Sequence, residues 1–196
     1  ITAGYNHSLF LKNDGTVWAT GWNNYGQLGD GTYESKNTPV QVSGLSGITA
    51  IAAAGAHSLF LKNDSTVWAT GYNESGQLGD GSLVSNGTPT RVSLAGSASL
   101  IAAGGLSTCA VLVDNSVQCW GKNTYGQLGL GTTTASESTP QTVLHIPEWF
   151  TVRQLDVGAN HTCAMSTTGV AWCWGYFQDG RLGLTQQSNV VVPAAT

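Results

Sequence analysis

An all-β repeat protein is the fold class predicted by this sequence, on three observations. A self-similar block recurs four times, and aligning Gly21, Gly71, Gly121 and Gly175 gives spacings of 50, 50 and 54 residues. Each block pairs two short runs of apolar, aromatic and β-branched residues around a turn signal, with no helical period. Charge is scarce: 9% of the residues are Asp, Glu, Lys or Arg, against about 25% in an ordinary soluble domain. With 26 Gly in 196 residues, the composition is that of a turn-rich β protein.

The first two blocks are near copies, HSLFLKNDGTVWATGWNNYGQLGDG (7–31) and HSLFLKNDSTVWATGYNESGQLGDG (57–81). The third (107–131) and fourth (161–185) keep the frame and change the filling. In the first block, the runs His7 to Leu11 and Thr16 to Thr20 flank Asn13-Asp14-Gly15, which reads as a β-hairpin. Gly26, Gly29 and Gly31 then suit a tight loop, with Leu28 plugging it into the core. Pro39, Pro89 and Pro140 fall at matching places in the tails, where an edge strand tolerates a missing donor. The chain reads as one repeat domain, 1–196, with approximate units 1–47, 48–97, 98–151 and 152–196.

One such unit cannot bury both faces of a small sheet, so units must stack. A mainly-β period near fifty residues suits the blade of a β-propeller. The phrases A-G-x-x-H-S, D-G-x-V-W and G-x-N-x-x-G-Q-L-G, here Ala3-Gly4 to His7-Ser8, Asp14-Gly15 to Trp18 and Gly21 to Gly29, resemble the regulator of chromosome condensation repeat. That resemblance implies a propeller usually closed by seven blades. Four repeats leave such a ring incomplete, so an open arc or part of a larger ring is expected. The start at Ile1 reads as a mature chain or an excised piece.

Cys109 and Cys119 flank the third hairpin, and Cys163 and Cys173 the fourth, at the same separation. The repeat maps these positions onto Leu9 with Ala19 and Leu59 with Ala69, so both members of the pair change together. Facing cross-strand positions behave in this way, and disulfides Cys109–Cys119 and Cys163–Cys173 are expected, with four buried thiols as the alternative. Zinc is disfavoured because the two pairs sit on separate units and lack C-x-x-C spacing. Disulfides point to an extracellular, periplasmic or cell-surface location, and sequons at Asn6, Asn63, Asn73, Asn86 and Asn160 are compatible with it. The net charge of −4 comes with no Lys/Arg stripe, which argues against nucleic acid. No apolar run reaches the roughly 20 residues needed to span a bilayer, so no membrane insertion is expected.

No constellation suggests catalysis. His7, His57 and His161 occupy one repeat position and read as residues that tie neighbouring backbone together. GQLGDG lacks the Lys-Ser/Thr ending of a phosphate loop, and neither a cofactor nor a metal is expected. The recurring tryptophans read as packing. Variation against a constant frame marks the binding face: the residue after the hairpin glycine runs Trp22, Tyr72, Lys122, Tyr176, and the loop beyond adds Tyr25, Tyr125 and Phe177. Trp149 belongs to a four-residue excess before the last hairpin. Loop aromatics of this kind anchor protein partners. The expected function is non-enzymatic, extracellular protein recognition by propeller loops, toward a protein partner or other copies of the chain. The alternatives are a subunit assembling head to tail into a fibre or surface layer, and a regulator resembling a guanine-nucleotide exchange factor.

Overall fold

The computed structural model describes residues 1–184 and 188–196; Thr185, the last residue of the fourth glycine phrase, lies outside the described residues. Sixteen strands form four antiparallel four-stranded sheets, each ordered as in the sequence. Sheet one contains β1 (Thr2–Ala3), β2 (His7–Leu11), β3 (Val17–Gly21) and β4 (Lys36–Gln41). Sheet two contains β5 (Ile48–Ala53), β6 (His57–Lys62), β7 (Val67–Gly71) and β8 (Asn86–Arg91). Sheet three contains β9 (Ala98–Gly104), β10 (Ser107–Leu112), β11 (Val117–Lys122) and β12 (Ser136–Thr142). Sheet four contains β13 (Val152–Val157), β14 (His161–Ser166), β15 (Ala171–Gly175) and β16 (Val190–Ala195). The first strands β1, β5, β9 and β13 pack against one another in succession, so they form the inner side of an open, unclosed arc of blades.

The predicted hairpins form in register, with Leu9 facing Ala19 and Leu59 facing Ala69. Cys109 faces Cys119 and Cys163 faces Cys173 in the same places, with sulfurs at disulfide distance, 2.14 and 2.03 Å. Pro39, Pro89 and Pro140 lie on β4, β8 and β12, the outer edge strands. Leu28, Leu78 and Leu128 are fully buried, plugging the glycine loops.

Three cores fill the three joints. In the first, Phe60 of blade two sits on Leu9 and Ala19 of blade one. In the second, Trp120 of blade three packs with Leu59 and Ala69, and in the third Trp174 of blade four packs with Cys109 and Cys119.

Each joint also carries a polar seam. Ser58 Oγ donates to the Gln27 carbonyl at 2.7 Å and lies 2.8 Å from His7 Nε2. Thr108 Oγ1 donates to the Gln77 carbonyl at 3.0 Å and lies 2.9 Å from His57 Nε2. A hydroxyl already donating to a carbonyl accepts from the imidazole, so Nε2 carries the proton in both histidines. At the third joint Thr162 Oγ1 donates to the Gln127 carbonyl, while Ser107, in the histidine position, turns back to its own blade's Lys122 carbonyl. His7 and His57 tie neighbouring blades together, but through a side-chain hydroxyl of the next blade and not through backbone as expected, and the His161 ring makes no hydrogen bond among the described residues.

Burial holds these imidazoles neutral, pushing His7 down to about 4 and His57 to about 3, the latter also opposed by nearby His7. The unfolded chain binds these protons near the ordinary histidine value, so the native state loses ground as pH falls. The stabilisation is complete above about pH 6.5 and declines below it by about 1.4 kcal/mol per pH unit per histidine. The fall continues until the native imidazoles themselves protonate near 4 and 3. Urea denaturation at a series of pH values is expected to show this slope and to find it reduced in His57→Gln. The turn carboxylates Asp14, Asp64 and Asp114 are held below the ordinary carboxylate value mainly by hydrogen bonds from Thr16, Thr66 and Ser116.

Candidate protein-recognition face

One end of the arc is built from the β1–β2 turns and the β3–β4 glycine loops of successive blades. The residue after each hairpin glycine is fixed there by the backbone: the amides of Trp22, Tyr72, Lys122 and Tyr176 donate to the carbonyls of Asn6, Ala56, Leu106 and Asn160. Three residues on, the amides of Tyr25, Ser75 and Tyr125 donate to the side-chain oxygens of Gln27, Gln77 and Gln127. The glutamine of the GQLG phrase therefore sets the second row of the face.

A buried asparagine organises each of the first three loops. Asn73 Oδ1 accepts from the Leu78 amide at 2.9 Å, and its Nδ2 reaches the carbonyls of Ser82 (3.1 Å) and Val84 (3.2 Å). Asn23 repeats the arrangement with Leu28, Thr32 and Glu34, and Asn123 with Leu128 and Thr132. Sequence reasoning missed this residue, although its recurrence in G-x-N-x-x-G-Q-L-G was the available signal. Asn73 has no exposed surface, so its sequon is inaccessible in the folded chain.

The two rows meet across joints. Tyr25 of blade one lies 4.6 Å, ring to ring, from Tyr72 of blade two, and Trp22 meets Tyr25 edge-on at 5.2 Å. Tyr125 of blade three lies 4.5 Å from Tyr176 of blade four. At the middle joint Ser75 and Lys122 replace the aromatic pair, and Lys122 Nζ lies 5.9 Å over the Tyr125 ring. Tyr72 donates to Glu74 at 2.7 Å, and this bond, aided by burial, holds the phenol up to about 12. Tyr176 bonds Gln178, and the Arg181 guanidinium lies 4.9 Å over its ring. Trp22, Tyr25, Tyr72 and Lys122, with Tyr5 and Asn160, line a hollow of about 350 Å³.

Phe177 stands where the other loops have their asparagine and packs partly into the last core. Trp149 does not join this face. It lies by the hairpin turns at the other end, in a connection held by Asn115, whose Nδ2 donates to the Phe150 carbonyl and whose Oδ1 accepts from the Val152 amide. Trp149 is 62% exposed, and its ring meets Trp172 edge-on at 6.2 Å.

Four sequential meander blades with an aromatic loop face define a β-propeller repeat protein. The chain belongs to the regulator of chromosome condensation (RCC1) repeat family, whose repeat matches residues 14–61, 64–111 and 114–165, about three quarters of the sequence. A second form of the repeat matches 48–77, 99–127 and 152–181. Each match in the first set runs from the β2–β3 turn of one blade into the second strand of the next, so every family repeat straddles a joint.

Among similar proteins is a mouse RCC1-like G exchanging factor-like protein, 40% identical over 55 residues, which cover 28% of this chain and 12% of that protein. Human WBSCR16 superposes with a TM-score of 0.84 at 28% identity, over 98% of this chain and 50% of that one. Prp20p from Saccharomyces cerevisiae superposes at 0.82 with 25% identity, over 98% and 48%. The chain therefore spans about half the length of these solved relatives.

Proposed function

We propose that this chain is a non-enzymatic recognition module that holds a protein partner against the face around Trp22, Tyr25 and Tyr72. The observation that carries the reading is the clustering of these rings, from two blades, at one hollow beside Lys122 and Glu74. Rigid aromatic anchors flanked by one cation and one carboxylate are the composition of interface hot spots. Prp20p, studied for its binding to Gsp1p and histones, supports protein recognition as a use of this fold. The two cysteine pairs favour an oxidising compartment, and mass spectrometry of the native protein after alkylation is expected to find no free thiol.

The test is affinity for a partner captured from the native source. Trp22→Ala combined with Tyr72→Ala is expected to weaken binding by about 2 kcal/mol or more, roughly thirtyfold, with Trp149→Ala without effect. Equal affinity in the double variant would reject this face. The exchange-factor reading rests on the description of the mouse relative, and stimulated nucleotide release from a small GTPase, lost in the same double variant, would establish it.

A further inference from the structure

The two rows of the recognition face run evenly except at the middle joint. Row one reads Trp22, Tyr72, Lys122, Tyr176, and row two reads Tyr25, Ser75, Tyr125. The first and third joints are each bridged by a tyrosine pair, Tyr25 with Tyr72 and Tyr125 with Tyr176. At the middle joint both members change, so Ser75 and Lys122 stand where two rings would meet. Lys122 Nζ is left with the Tyr125 ring of its own blade, 5.9 Å away.

The other charged groups named on this face are already partnered. The Arg181 guanidinium is bridged to Asp179 at 2.6 Å, and Glu74 accepts from the Tyr72 hydroxyl. Lys122 is half-buried and has no carboxylate within 4 Å among the described residues. It lines the hollow of about 350 Å³ together with Tyr5, Trp22, Tyr25, Tyr72 and Leu106. Ligand sites run from about 300 to 1,000 Å³, so this one suits one or two side chains. The walls from Trp22 to Lys122 stand on blades one to three, whose joints are complete within the chain. The hollow opens among the loops at the blade ends, not on the sides by which blades stack.

We infer that the occupant of this hollow is a segment of a partner protein that places an aromatic side chain beside a carboxylate, the ring seated among Trp22, Tyr25 and Tyr72 and the carboxylate paired with Lys122. The inference rests on the recognition reading above and adds the sign of the partner's charge. A carboxylate brought to an ammonium among apolar rings forms a charge-assisted bond, stronger than a neutral one. A basic segment meets like charge at Lys122, and an apolar segment covers the ammonium without pairing it, which is costly. Complementarity of this kind selects among partners more than it adds raw affinity, which makes Lys122 the specificity-determining residue of the face.

The experiment is a nuclear magnetic resonance titration of the whole chain with two blocked peptides, acetyl-Gly-Glu-Tyr-Gly-amide and its Gln counterpart, followed at the Trp22 indole and the Lys122 amide. The Glu peptide is expected to bind about tenfold more tightly, the effect of one charge-assisted bond, and its preference to shrink as salt is raised. Lys122→Met is expected to bring the Glu peptide to the affinity of the Gln peptide, and Lys122→Arg to retain the preference. Equal affinities in the parent chain, a preference that persists in Lys122→Met, or no binding of either peptide at millimolar concentration overturns the proposal. The recognition reading fails in a different way: a captured partner then ignores Trp22→Ala combined with Tyr72→Ala, whatever the two peptides do.

Discussion

Gly76→Ala is expected to destabilise the chain by about 3 kcal/mol or more, through two penalties at one atom. Gly76 has φ of +74°, and a side chain in that left-handed region costs about 1 to 2 kcal/mol. The added Cβ would also stand 2.4 Å from the Ser138 Cα of the next blade, a backbone contact that no rotamer change relieves, so about 1 to 3 kcal/mol of overpacking is added. Gly180 supplies the control, with φ of +69° and open space around the built Cβ. Gly180→Ala in dilute solution is expected to show the conformational cost alone. Urea denaturation of the two variants separates the terms, and equal losses would show that the blade-to-blade approach contributes nothing. The glycine phrase recurs because each copy must both reverse the chain and let the next blade close against it.

Asn73→Ala is the second large effect, expected at about 3 kcal/mol. The substitution strands the buried Leu78 amide and removes the bonds to the part-buried carbonyls of Ser82 and Val84, and each lost bond costs about 1 kcal/mol, more where the group left behind is buried. Asn73→Asp keeps the acceptor, loses the donors and buries a charge, so it is expected to be no milder. Hydrogen exchange at Leu78 is the local readout: its protection should collapse to that of an open loop while the β6 amides remain protected. The fourth blade gives a natural comparison, since Phe177 fills the position with apolar volume and the loop turns as a short 3-10 segment, Gln178–Gly180.

Hairpins, edge prolines and loop-plugging leucines were legible because each depends on local chemistry repeated four times. The cysteine pairs were legible for a further reason: the repeat supplied Leu9 with Ala19 as a template, and paired replacement is what facing positions undergo. The grouping of Trp22, Tyr25, Tyr72 and Lys122 followed from their shared place in the unit. What the sequence concealed lies between units. Ser58 and Thr108 are ordinary strand residues until the preceding histidine and glutamine carbonyl are brought within 3.0 Å. Phe177 reads as one more loop aromatic, although its position is that of a buried asparagine. Trp149 was singled out by the four-residue excess that carries it and not by the repeat, so the sequence did not show that this connection runs at the opposite end of the blades from the rim aromatics.

Within each blade every strand pairs with its neighbour in sequence, and each blade after the first closes on the one made immediately before it. A ribosome therefore delivers this chain in the order in which it assembles. Each hairpin can fold as it emerges, and the newest blade always finds a finished surface on which to condense. Contacts this local favour rapid folding within each blade, and growth by nearest-neighbour docking spares the nascent chain any long search. The hazard is equally vectorial: at every pause in synthesis the last completed blade displays an uncovered half-joint, the surface by which one unfinished chain could capture another.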